Sequence, residues 1–524
     1  MATRSQTAAV LLAGALALAA CGSGGSQAPA AQSGARTLVI DTSFDLKTAD
    51  PGRTYEPTGL IVGKATYETL LTFDGGDVTK PVPALAESYE LSEDGKVVTL
   101  KLKQGATFAD GSPLTADDVV FSLTRVRDMK GTPSFLLDGV EIAKTDDSTI
   151  TLTSEKANAA LPYILPNPAL GILNSKVVKA QGGTTDAQDK AEQYLNANSA
   201  GSGPYQIESF NVSSQVVLKA NPKYHGAKPA YDKVVIRNVE AATQKLNVQR
   251  GDSQIALNLS GDQVTNMPAT LQVKKTASAN VIFLLANQDP AISRTTTNAK
   301  FVEAVRKGVD YAGLLELAGE GSTRAPGVIP SQLLGALPAD RAPARDVEGA
   351  KKALAESGLS NPTVKLEFPS ELTVNGLSFQ PLAERVQANL KEVGITVDLQ
   401  PAPITVALDN YRNGKEEMGL WYWGPDYPDP NDYLAFLPGQ TVGARAGWKT
   451  GSAKEIEEAG EKAAAAIGDE ARTAAYHDVQ DKLNASGPFV PLIQPGQNIV
   501  TATSVTGVEY HPVWTVDVAD LGVK

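Results

Sequence analysis

From Thr37 onward the chain alternates between two hydrophobic periods. TLVIDTSFD (Thr37–Asp45) is a short apolar, β-branched run and predicts a buried opening strand. VVTLKLKQG (Val97–Gly105) sets Val98, Leu100 and Leu102 on one face, the period of two that marks a half-buried strand. FADGS (Phe108–Ser112) supplies an Asp-Gly turn, and Thr115-Ala116-Asp117-Asp118 resembles a capping box opening a helix over DVVFSLTRV. In SFQPLAERVQANLKEVG (Ser378–Gly394), Leu382, Val386, Leu390 and Val393 share one helical face and Gly394 is the stop. ITVDLQ follows at once as a strand with Ile395, Val397 and Leu399 aligned. That handover predicts an α/β protein built on a mostly parallel sheet with covering helices. No internal repeat is evident, and 524 residues are too many for one core, so two or three domains are expected.

The first residues follow a different pattern. Arg4 precedes AAVLLAGALALAA (Ala8–Ala20), an apolar stretch of signal-peptide length that is too short to span a bilayer, which takes roughly 20 apolar residues. Residues 1–20 are therefore expected to be a signal peptide. Leu18-Ala19-Ala20-Cys21 resembles a bacterial lipobox, in which the cysteine is lipidated and becomes the mature N-terminus. Residues 21–36 then read as the lipidated Cys21 and a flexible tether rich in Gly, Ser, Ala and Pro.

Composition removes several function classes. The net charge is −12 and no long Lys/Arg cluster occurs, which argues against nucleic acid and against electrostatic docking on anionic lipid. Cys21 is the only cysteine, so the chain holds no internal disulfide and no Cys-based metal site. The three histidines, His225, His477 and His511, are scattered without an HExxH pair, and no metal is expected. There is no Gly-x-Ser-x-Gly elbow and no Walker A loop, and Gly319-Glu320-Gly321 lacks the third glycine of a dinucleotide loop. Glu416-Glu417 sits in a charged stretch and reads as a solvated face. No cofactor is expected, the chain is read as no enzyme, and a secreted hydrolase is the least favoured function.

WYWGPDYPDPNDYL (Trp421–Leu434) holds two of the chain's four tryptophans with three aspartates and three prolines. Its aromatic start reads as the end of a strand, and Pro425, Pro428 and Pro430 forbid a helix or a continued central strand. Two readings stand: a buried strand with a solvated turn, or a recognition site with aromatic walls around one fixed carboxylate. Asp429 and Asp432 are read as turn and capping residues, and Trp421 equally as core.

Several stretches together resemble one family, the extracellular solute-binding proteins of ABC importers, family 5 (the oligopeptide/dipeptide/nickel-binding group). ATYETLLTFD (Ala65–Asp74), the long segment Leu85–Leu123, GSGPYQIESF (Gly201–Phe210) and LKANPKYHGAKPAYDKVVI (Leu218–Ile236) match its motifs in order. FVEAVRKGVDYAGLLEL (Phe301–Leu317) resembles its Arg-x-Ala helix, and WYWGPDYPDPNDYL its Trp-x-x-Asp-x-x-Asp-Pro loop.

The resemblance implies a two-lobed periplasmic-binding-protein-like fold of the large class, with an extra subdomain, a hinge between lobes and the ligand in the inter-lobe cleft. On that analogy lobe 1 comprises about 37–58, 190–282 and 496–524; the extra subdomain is about 59–189, and lobe 2 about 283–495. The implied function is capture of di- or oligopeptides by cleft closure and delivery to an ABC permease with its ATPases. A nickel chelate, an opine or an oligosaccharide is the alternative solute. The protein is expected to be a monomer, anchored through Cys21 on the extracytoplasmic face of the membrane.

The resemblance also implies site residues. An aspartate of this loop pairs with a peptide's α-ammonium in relatives, and the motif places it at Asp426. Trp423 would line the same pocket with Trp421, while Tyr422–Gly424 would pair with the peptide backbone as an added strand. Ser43, Phe44 and Asp45, at the end of the opening strand, would add backbone contacts from the other lobe. The chain departs from the family where FLLANQDP (Phe283–Pro290) puts its asparagine at Asn287. No anchor for a ligand carboxylate stands out among Arg294, Arg324, Arg345 and Arg412.

Overall fold

Three sheets of four or more strands organise residues 36–524, the part of the chain that the computed structural model describes. The expected signal peptide, the tether and Cys21 lie outside the described residues.

The first sheet has seven strands, in the order Leu271–Ala277, Gly496–Ala502, Ile255–Ala256, Thr37–Thr42, Lys233–Asn238, Gln215–Ala220 and Tyr205–Asn211. The apolar opening strand is central, as its composition requires: Leu38 and Ile40 are fully buried. The second sheet has six strands, ordered Thr323–Arg324, Phe489–Gln494, Val281–Ala286, Met418–Trp423, Thr363–Pro369 and Thr396–Ala402. The third is a four-stranded antiparallel sheet, Ala86–Leu91, Val97–Leu102, Thr149–Ser154 and Val140–Asp146, covered by the helix Ala116–Asp128. Thr115 and Asp118 form the expected capping box at that helix, each side chain accepting from the other's backbone N–H. Val98 and Leu100 are fully buried on the inward face of their strand, with Leu102 beside them.

The expectation of mostly parallel sheets is corrected. In the seven-stranded sheet only the opening strand pairs in parallel, with its two neighbours. In the six-stranded sheet only Thr363–Pro369 does so, with Thr396–Ala402 and Met418–Trp423. The helix Phe379–Glu392 supplies the crossover between the first two of these strands, as its sequence predicts, with Leu382, Val386 and Leu390 fully buried. The antiparallel pairs have a topological cause. The chain leaves the first sheet through Leu271–Ala277 into Val281–Ala286, and returns through Phe489–Gln494 into Gly496–Ala502. Outgoing and returning strands lie side by side in each sheet and run in opposite directions. The two crossing segments are tied together, Ser278 N donating to Pro495 O at 2.9 Å and Gln494 Nε2 to Ser278 O at 3.0 Å.

The result is two α/β lobes joined by a double crossing, with the four-stranded subdomain attached. A buried ion network fixes that attachment. Arg125, on the subdomain helix, reaches Asp50 Oδ2 at 2.6 Å and Asp189 Oδ2 at 2.8 Å, and all three side chains are fully enclosed. The stretch Phe301–Leu317 is two helices rather than one, Ala299–Gly308 and Tyr311–Ala318, because Asp310 caps the second by accepting from Gly313 N at 3.1 Å.

Candidate functional site

Strand Met418–Trp423 places the site. Its alternation sends Leu420 and Tyr422 into the core beside the Phe379–Glu392 helix, while Trp421 and Trp423 face the opposite core around Phe436 and Tyr476. One edge is paired throughout with Val281–Ala286. The other meets Thr363–Pro369 only at Met418 and Gly419. Leu420–Trp423 therefore have no strand partner on that edge among the described residues.

The strand ends in a cleft of about 1490 Å³ between the lobes, lined by Asp45, Tyr55, Trp421, Tyr422, Trp423, Gly424 and Asp426, among others. At Gly424 a Cβ would come within 2.3 Å of Asn280 Oδ1, on the crossing segment, and would push that amide aside. Pro425 then turns the chain, and the loop is held by its backbone. Asp426 N donates to Asp432 Oδ2 at 3.1 Å, and Asn167 Nδ2 donates to the Asp426 carbonyl at 3.0 Å. The Asp426 carboxyl stands beside that of Asp432 and also accepts from the Tyr55 hydroxyl, which comes from the other lobe. Tyr55 is itself oriented edge-on against Phe135, ring centroids 5.6 Å apart.

Burial pushes the Asp426 carboxyl up to about 7, with Arg445 opposing the rise. Asp432 is buried and raised well above the ordinary range, first by burial and then by the Asp426 charge. It also accepts from Trp423 Nε1 at 3.2 Å, which fixes that indole as a cleft wall. Asp429 caps the 3-10 helix Pro430–Phe436 by accepting from Asn431 N at 2.9 Å. Its second task is a fully buried pair with Arg472, at 2.6 and 2.7 Å.

Trp421 is both core and wall. It stacks on Tyr411 with centroids 4.3 Å apart, and its indole N–H donates to Glu416 Oε2 at 2.9 Å. Glu416 is therefore not on a solvated face, a correction to the sequence reading. It is 1% exposed, and burial pushes its carboxyl up to about 9.

Of Ser43, Phe44 and Asp45, only Asp45 lines the cleft. The amide of Ser43 donates to Asn258 Oδ1 at 2.8 Å and that of Phe44 to Asn238 Oδ1 at 3.0 Å, so neither N–H faces a ligand. Among the four arginines considered for a carboxylate, Arg412 lines the cleft but is exposed, and Arg345 is bound to Gly308 O and Glu392. Arg294 and Arg324 are exposed and do not line the cleft.

Sequence reasoning missed Tyr55, Asn167 and Arg445. Nothing in RTYEPTG, LPNPAL or VGARAGW marks them, since each acquires its role from partners far away in the chain. Among the described residues no cluster of His, Cys, Asp and Glu is placed to hold a metal, and no helix is long and apolar enough to cross a membrane.

The family described as bacterial extracellular solute-binding proteins, family 5 Middle, matches residues 80–444. The probable D,D-dipeptide-binding periplasmic protein DdpA of Escherichia coli (strain K12) is 28% identical, covering 91% of this chain and 92% of its own. Di/tripeptide-binding protein 2 of Pseudomonas aeruginosa is 27% identical, covering 92% and 94%. The crystal structure of the ABC transporter substrate-binding protein CtaP from Listeria monocytogenes superposes with a TM-score of 0.81 at 20% identity, covering 93% of this chain and 99% of that one.

Proposed function

The chain belongs to the bacterial extracellular solute-binding proteins of family 5, and from that premise we propose that it captures short peptides in the inter-lobe cleft and hands them to an ABC permease. Proteins of this family are binding components of transport, and we read this chain as a binder rather than a catalyst. Both sequence relatives above carry peptide-binding names.

The observation that carries the reading is the unpaired strand edge at Trp421–Trp423, which lines the cleft and leads to the Asp426 carboxyl. An extended peptide laid along that edge has backbone partners at Tyr422–Gly424 whatever its side chains. Its α-ammonium then falls beside a half-buried carboxyl that also accepts from the Tyr55 hydroxyl, and gains a charge-assisted bond there. Trp421 and Trp423 form the wall, and Asp45 faces them from the other lobe. The lobe limits stay at about 37–58, 190–282 and 496–524 for lobe 1, 59–189 for the subdomain and 283–495 for lobe 2. Their support is that the strands of each sheet fall within these segments, apart from Val281–Ile282.

Native mass spectrometry of protein purified without denaturation tests the ligand class, because enclosed ligands leave slowly. A short peptide adduct is expected; a sugar, an opine or a metal chelate instead overturns the peptide reading. We further propose that a single copy works on the extracytoplasmic face of the membrane, anchored by lipid on Cys21. Cys21→Ser is expected to leave the protein unprocessed or shed, and a variant that still enters the detergent phase like wild type refutes the anchor.

A further inference from the structure

We propose that Arg445 receives a carboxylate of the ligand, so that the cleft selects compact zwitterions with a free ammonium and a free acid. The inference rests on the peptide-binding reading and names the second charge of the same site. Four cationic side chains line the cleft: Lys47, Lys156, Arg412 and Arg445. Lys47 is already paired with Glu56 at 2.5 Å, and Lys156 and Arg412 are exposed. Arg445 alone is half-buried, and among the described residues no carboxylate lies within 4.0 Å of its guanidinium.

Two ring faces hold it instead. The guanidinium carbon lies 4.8 Å from the Tyr411 centroid and 5.5 Å from that of Trp423. Contact with the two rings holds the guanidinium in place, and none of its N–H donors is spent on a carboxylate of the described residues. A planar donor fork held in place, partly desolvated and with no carboxylate at ion-pair distance is suited to a bidentate carboxylate. Asp426 does not fill this place: its carboxyl turns to Tyr55 and makes no ion pair with Arg445. Trp423 stands between the two roles, its indole N–H on Asp432 and its face under Arg445. Both ligand-seeking charges therefore belong to the six-stranded lobe and flank one tryptophan, which sets a short span between the ammonium and acid that they accept.

The test is calorimetry on ligand-stripped full-length protein with three probes: Ala-Ala, its C-terminal amide, and N-acetyl-Ala-Ala. Wild type is expected to bind Ala-Ala at least about tenfold tighter than the amide, as for loss of one charge-assisted contact. Arg445→Gln should bind acid and amide alike, with its affinity for the amide near that of wild type. Arg445→Lys keeps the charge without the fork, and should bind Ala-Ala more weakly than wild type while still preferring acid over amide. The inference is overturned if wild type binds acid and amide equally, or if Arg445→Gln keeps the preference. It is equally overturned if Arg445→Gln weakens both probes in parallel, which would make the residue a support for the Tyr411 and Trp423 wall. Should Arg445→Gln fail to fold, an Arg445→Lys variant without preference overturns it as well. The acetylated probe separates this inference from the underlying reading. Wild type that rejects N-acetyl-Ala-Ala but ignores the amide keeps the Asp426 reading and loses this one, whereas wild type that binds none of the three loses both.

Discussion

Asp426→Asn removes a charge and keeps a shape, and the surroundings of Asp426 set what each part is worth. The loop does not depend on the side chain, because Asp432 and Asn167 hold Asp426 by its backbone N–H and carbonyl. Without ligand, the substitution touches the bond from Tyr55, which asparagine's Oδ1 still accepts, and the contact with the Asp432 carboxyl, to which its Nδ2 can donate. A carboxyl raised to about 7 by burial also means that the ionised form is disfavoured in the fold. The unliganded variant should therefore melt at or above the wild-type temperature. With ligand, breaking one side of an enclosed ion pair costs about 3–5 kcal/mol. The Tyr55 bond is kept in both proteins, so the complex should be roughly 100- to 4,000-fold weaker. The pH profile gives a second signature. An ammonium needs the ionised carboxyl, so binding releases a proton below about 7, and wild-type affinity should rise about tenfold per unit as pH climbs from 5 towards 7. It then falls once the peptide amine deprotonates, near its usual value of about 8. Calorimetry across pH on stripped protein reads both effects. Undiminished binding of free-amine peptide by Asp426→Asn, or a clear loss of its unliganded stability, would show that this aspartate serves the loop and that the ligand's amine sits elsewhere.

Three other outcomes follow from groups outside the ligand contacts. Arg125→Met leaves the buried Asp50 and Asp189 with only the partly exposed Arg53 as a cation, and urea unfolding should show a loss of about 3 kcal/mol. Glu416 is protonated in the fold up to about 9 but ionises near 4.5 when unfolded, so the fold binds the extra proton in that window and stability should fall as pH rises through it; Glu416→Gln should flatten the slope between pH 6 and 9 in the same assay. Gly496→Ala sets a Cβ 2.7 Å from Glu320 O and 3.0 Å from the Gly321 carbonyl carbon, backbone of the loop packed against the crossing, and should lower stability by about 1–3 kcal/mol in thermal unfolding.

Local pattern was enough for elements that are stabilised locally. The helix over Ser378–Gly394 and the strand after it are legible because four apolar residues at helical spacing, then three at strand spacing, have one way to be buried. Asp429 was legible as a cap for the same reason, since its partner Asn431 is two residues away. Its pairing with Arg472 was not, as 43 residues separate them. The cleft is the extreme case: Tyr55 meets Asp426 across 371 residues and Asn167 meets it across 259, and no periodicity encodes such meetings. Strand direction failed similarly. One helix-to-strand handover identifies one parallel pair, but the double crossing between lobes decides the rest. Glu416 misled because its neighbours Lys415 and Glu417 are polar, whereas its own environment is made by Trp421, five residues further on.

The division of contacts among the three bodies bears on how closure works. A ligand shifts a two-state equilibrium only through contacts that differ between the states. The open strand edge, Trp423, Asp426 and Arg445 all belong to the six-stranded lobe, so a peptide docked there alone gains nearly as much with the lobes apart as together. The bias towards closure must come from what the other bodies add: Tyr55 and Asp45 from the seven-stranded lobe, Asn167 from the four-stranded subdomain. Asn167 bonds a backbone carbonyl and does not depend on the ligand. Tyr55 bonds the very carboxyl that the ammonium seeks, so it reports whether that carboxyl is charged and occupied. A hydroxyl donating to a carboxylate already facing an ammonium completes a three-member charge-assisted cluster, stronger than either bond alone. Side-chain identity along the peptide contributes little to this, because the strand edge reads backbone. Such a cleft recognises the termini of its ligand and leaves the sequence between them largely unread.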